Sequence, residues 1–123
     1  MKKILVILAI ILIGCAKVAD HKPEDRIIGV WANREITCYC FEQEAWIDAG
    51  TGWETLTFKK DGTGFINLNP FRYSISGSIL TIVMDSAANY TIEELTQDRL
   101  QISRVHSANG YTYKTTNFLI RYD

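Results

Sequence analysis

Ile27-Ile28-Gly29-Val30-Trp31 is the stretch on which the reading of the fold turns. It is the first strand-like run after a polar segment, short, apolar and rich in β-branched residues. Gly29 lets the backbone approach closely, while Trp31, two places on, turns its ring to one face. Every later segment reads as a further strand that could close around it.

Downstream of this run the pattern is almost wholly β. Apolar and polar residues alternate in Trp53-Glu54-Thr55-Leu56-Thr57-Phe58, in Phe71-Arg72-Tyr73-Ser74-Ile75 and in Leu100-Gln101-Ile102-Ser103. Turn residues separate the runs: Lys60-Asp61-Gly62-Thr63, Ser76-Gly77-Ser78, Asp85 to Ala88, Thr96-Gln97-Asp98 and Ser107-Ala108-Asn109-Gly110. Each connection is short, which excludes βαβ crossovers and requires consecutive antiparallel neighbours. About eight strands result, the number that closes an up-and-down antiparallel β-barrel without leaving an edge. A sandwich is the rival, weakened by the lack of any long crossing connection. Ile36–Phe41 either prolongs the first strand or forms its own.

Upstream lies a different kind of segment. Lys2-Lys3 precede an apolar run from Ile4 to Ile13, too short to span a bilayer, and then Gly14-Cys15. This resembles the bacterial lipoprotein signal, in which the cysteine is acylated and begins the mature protein. A plain secretory signal with Cys15 incidental is the alternative. The expected organisation is a signal peptide over 1–14, a lipidated tether over 15–26 and a barrel domain over 27–123. Acyl chains on Cys15 would hold the protein on a bilayer, with the outer membrane as the expected address.

The full chain of 123 residues carries a formal net charge of −1, with 13 basic against 14 acidic residues. No basic face stands out, so a nucleic-acid partner is not indicated. Catalytic material is thin: His21 falls in the tether and His106 at a turn, and no nucleophile elbow or phosphate-binding glycine loop occurs. No cofactor or metal site is expected, and the chain reads as a binding protein rather than an enzyme. Cys38-Tyr39-Cys40 places two thiols on one face of a strand, about 6.6 Å apart at a rise of about 3.3 Å per residue. A disulfide needs Cβ atoms at about 3.5–4.5 Å. Two inward thiols acting as small hydrophobes are therefore one reading, and a strained bridge is the other.

Gly29-x-Trp31, the turn with Phe58, Asp61, Gly62 and Thr63, Tyr73-x-Ile75-x-Gly77 and Leu95-Thr96-x-Asp98-x-Leu100 occur in order along the domain. Together they resemble the lipocalin-like lipoproteins of Bacteroidetes. The resemblance implies a small calycin-type barrel. It also implies that an arginine from the end of the last strand covers the first-strand tryptophan, which assigns Arg121 to Trp31, with Arg104 as second choice. Asp85-Ser86-Ala87 resembles the O-glycosylation triplet of exported Bacteroidetes proteins, with Ser86 as acceptor.

Glu42 to Gly52 is the longest irregular stretch, and the mouth of the barrel is expected there. Trp46 and Trp53 would line it, and Phe71 and Tyr73 would face inward from a middle strand. Such walls suit a small apolar or aromatic ligand. The competing expectation is an envelope protein that docks a partner on its outer surface and whose interior is simply filled.

Overall fold

The computed structural model describes residues 23–50 and 52–122. Cys15 and His21 lie outside the described residues, with the whole expected signal peptide. One helical turn, α1 (Pro23–Arg26), leads into β1 (Gly29–Cys40) and the short β2 (Ala45–Ile47). The chain continues as β3 (Thr55–Phe58), β4 (Thr63–Ile66), β5 (Asn69–Ser76) and β6 (Ile79–Val83). It ends as β7 (Ala87–Leu95), β8 (Arg99–Ala108) and β9 (Tyr111–Arg121).

From β3 to β9 each strand pairs antiparallel with the next, as the short turns require. β1 then closes the circle. One edge joins β3 from Gly29↔Phe58 to Ala32↔Thr55, and the other joins β9 from Trp31↔Arg121 to Cys40↔Tyr113. The result is an eight-stranded closed antiparallel barrel, with β2 folded back as a flap on the upper end of β1. β1 is the longest strand, so Ile36–Phe41 prolongs it. A bulge between Asn33 and Glu35 shifts the phase by one residue and keeps Cys38 and Cys40 buried.

Two features depart from the sequence reading. The opening run is not a strand throughout: extended pairing begins only at Gly29, and Ile27 is wholly buried beneath the barrel. There its carbonyl accepts a hydrogen bond from Trp31 Nε1 at 2.8 Å, which fixes the chain in a turn. The stretch Glu42 to Gly52 is also less irregular than expected, because β2 pairs with Cys38–Cys40.

The tightest apolar packing lies toward the end where β1 begins. Trp31, Leu56, Phe58, Leu80, Leu100 and Ile102 are almost fully buried there, with Phe71, Ile82 and Leu119 around them. Gly64 makes this density possible. A Cβ at that position would overlap the Thr57 carbonyl oxygen and stand 2.7 Å from the Phe71 ring.

The floor is sealed by Arg121. Its guanidinium lies over the Trp31 ring, 4.3 Å from the centroid. Nε donates to the Gln97 carbonyl at 2.6 Å, and Nη1 and Nη2 donate to the carbonyls of Ile28 and Arg26, each at 2.8 Å. Gly29 adopts φ +137°, and a Cβ there would collide with Nη1. The close approach read from this glycine is therefore made by the Arg121 side chain. The last residues of the expected tether belong to the same floor, since Arg26 offers one of the three carbonyls.

Candidate functional site

Above the packed core the inward positions change character. On β8 the period of two that places Leu100 and Ile102 inside continues to Arg104 and His106. On β9 it runs from Leu119 through Asn117 and Thr115 to Tyr113, opposite Cys38 and Cys40 of β1. Tyr90 contributes from β7, and Trp53, Gly52 and Ala49 cover the opening. Together Ile36, Tyr90, Arg104, His106, Thr115 and Asn117 surround a cavity of about 240 Å³ beneath that cover.

Hydrogen bonds order one wall. Thr115 Oγ1 donates to the Cys38 sulfur at 3.7 Å and lies 3.0 Å from His106 Nε2. The Thr115 hydroxyl, both donor and acceptor, thus links the Cys38 sulfur to the His106 ring. The ring stacks on Tyr113 at 5.7 Å between centroids, and burial pushes the Tyr113 phenol up. Asn33 Nδ2 donates to the Trp53 carbonyl at 3.0 Å and to Asn117 Oδ1 at 3.5 Å, which ties the cover to the wall. Asn33 Oδ1 is buried without a hydrogen-bond partner among the described residues. A buried orphan acceptor of this kind costs about 1–3 kcal/mol.

The expected site residues are scattered over the barrel. Trp53 lines the cavity. Trp46 stands on β2, 69% exposed, with its ring edge-on to Tyr39 at 5.0 Å on the outer side of β1. Phe71 and Tyr73 belong to the packed core, where both meet Phe58 edge-on, at 5.7 and 4.8 Å. The Tyr73 hydroxyl donates to the Lys59 carbonyl at 2.7 Å, and burial raises its phenol. Phe71 also touches a depression of about 580 Å³ beside the β6–β7 turn, but that groove is wider and more open than the mouth cavity. Ser86 is exposed on that turn.

His106 is the clearest residue that the sequence reading misplaced. It stands inside the barrel on β8 rather than at a turn. Arg104, second choice for the floor, lies instead at the mouth, 6.0 Å from the Tyr90 ring centroid. Cys38 and Cys40 are both buried and free. Among the described residues no cluster of His, Cys, Asp and Glu could hold a metal ion.

A lipocalin-like protein from Bacteroides uniformis superposes with a TM-score of 0.50, covering 79% of this chain and 99% of its own at 13% identity. Bovine odorant-binding protein, in complex with a selenium-containing odorant, superposes at 0.51 with 11% identity, covering 83% of this chain and 74% of its own. The fold is lipocalin-like. No protein-family model and no curated sequence matches the chain. In this lipocalin-like barrel the closed floor and the polar mouth are opposite ends of one interior, and the cavity sits at the mouth beside Ala49, Gly52 and Trp53.

Proposed function

We propose that this chain is a lipid-anchored envelope protein whose barrel binds one small ring-bearing molecule at its mouth. The observation that carries the reading is the cavity beside Trp53, walled by residues of β1, β7, β8 and β9 and open to solvent on one side. Its 240 Å³ corresponds to about eight waters at about 30 Å³ each, room for a single ring with a short substituent. The structural likeness to an odorant-binding protein caught with its odorant supports small-molecule binding as the use of such a barrel. Trp53 and Tyr90 supply the aromatic surface, and the remaining wall is more polar than the sequence suggested. Cys15 would provide the acyl anchor and an outer-membrane address.

Native mass spectrometry of the protein from its own cells should show a retained small molecule. Trp53→Ala should release it and Trp46→Ala should not. Metabolic labelling with a fatty acid should mark the wild type and not Cys15→Ser. An empty wild-type protein would remove the binding claim, and labelling of Cys15→Ser would remove the anchor.

A second reading rests on the outer face. Trp46, Phe41 and Ile47 are all exposed around Tyr39, an aromatic patch suited to docking an envelope protein partner. An empty barrel combined with loss of partner capture in Trp46→Ala would favour it.

A further inference from the structure

Resting on the ligand-binding reading, we infer that the mouth cavity selects a small ring-bearing carboxylate, with Arg104 as the group that recognises the anion. The argument begins from charge. Arg104 is the one charged residue lining the cavity, and no carboxylate stands in its walls. Among the described residues the ion pairs are Arg99 with Glu94 and Lys114 with Glu93, so the Arg104 guanidinium has no anionic partner. It is held instead beside the Tyr90 ring, at the opening. A guanidinium offers five N–H donors in a planar fork that matches a carboxylate.

A second observation points the same way. Asn117 is 5% exposed, and its Oδ1 is occupied by the Asn33 amide. Among the described residues its Nδ2 has no hydrogen-bond partner, and unlike Asn33 Oδ1 it is not sealed from solvent, so it stands available to a ligand in the cavity that Asn117 lines. The cavity thus presents, at its opening, an exposed guanidinium without an anionic partner among the described residues and an available amide donor. An acceptor-rich ligand pairs with both, while a purely apolar ligand leaves both without a protein or ligand partner. Trp53 and Tyr90 provide flat surface for the ring to which the carboxylate is attached.

The experiment uses three acids, benzoate, phenylacetate and indole-3-acetate, each against its primary amide. Binding is followed by the shifts of the Trp53 indole N–H and the Asn117 side-chain amide in nitrogen–proton NMR spectra. At least one acid should shift both signals and bind at least tenfold more tightly than its amide. Arg104→Gln should erase that preference and Arg104→Lys should keep part of it, both with native spectra elsewhere. Equal affinity for acid and amide, or an unchanged preference in Arg104→Gln, overturns the inference while leaving small-molecule binding intact. No shift with any acid also overturns it, and the native mass spectrum then decides separately whether the barrel binds anything.

Discussion

Replacing Arg121 by lysine tests the floor most directly, because the charge remains while the fork is lost. The guanidinium joins three backbone carbonyls, those of Arg26, Ile28 and Gln97, while lying on Trp31. An ammonium on a single stem reaches one of them in good geometry, so two charge-assisted hydrogen bonds disappear. Each is worth about 1.5–3 kcal/mol, and partial exposure argues for the lower end. The expected loss is about 3 kcal/mol, a large part of the 5–15 kcal/mol of roughly typical domain stability. For a domain of roughly this size that corresponds to a fall of about 12–24 °C in Tm. Urea unfolding followed by both tryptophan fluorescence and far-ultraviolet circular dichroism would measure it, with coincident transitions establishing two-state behaviour. A double-mutant cycle with Trp31→Phe should give a coupling of at least about 0.5 kcal/mol, since the two side chains touch. A loss below about 1 kcal/mol in Arg121→Lys would show that the floor is held by apolar packing alone and would refute the reasoning.

Two further substitutions probe other links. Gly64→Ala forces a methyl group into the Thr57 carbonyl and the Phe71 ring, and should destabilise by about 1–3 kcal/mol or more. Gly77→Ala faces open space but keeps a positive φ of 62°, so thermal melts should show a smaller loss, and the reverse order would contradict the packing described. The Ser103 hydroxyl, 2.5 Å from Glu93, holds that carboxyl below its ordinary value, with Lys114 Nζ at 3.4 Å adding to the effect. A carboxyl depressed in the folded state contributes stability above its unfolded pKa and loses it as pH falls through the folded value. Glu93→Gln should therefore flatten the loss of stability between about pH 5 and pH 3, and parallel urea midpoints in variant and wild type would contradict the linkage.

The barrel was legible because alternation and short turns constrain connectivity strongly. Asp61 shows how local that information is: its Oδ1 accepts from both the backbone and the hydroxyl of Thr63, fixing the β3–β4 turn from within four residues. Turn chemistry also places Asn109 and Gly110 at φ 53° and 84° between β8 and β9. The mouth was much harder to read. Arg104 and His106 continue the inward phase of Leu100 and Ile102, yet the sequence reading offered Arg104 as second choice for the floor and put His106 at a turn. Composition and phase conflict where a barrel interior is polar, and phase prevails because the ladder cannot slip by one residue. Trp46 misled in the opposite sense. Its place in the longest irregular stretch suggested the mouth, but β2 folds back on the end of β1 as a short hairpin, Cys38↔Ile47 to Cys40↔Ala45, and turns the Trp46 ring against Tyr39 on the outer side.

The uneven filling of the barrel also divides its resistance to local opening. β1 and β9 remain paired along nearly their whole length, but the side chains beneath that seam differ between its ends. Around Trp31 and Leu119, separating the strands would expose the apolar core. Around Cys38 and Thr115, it would release hydrogen bonds that water can replace. Amide hydrogen exchange along one continuous ladder should therefore be graded, slowest near the floor and approaching local-opening rates at the flap. A ligand held at the mouth would slow exchange where the apo barrel is least protected, which places the recognition surface in the part of the fold best able to adjust its shape.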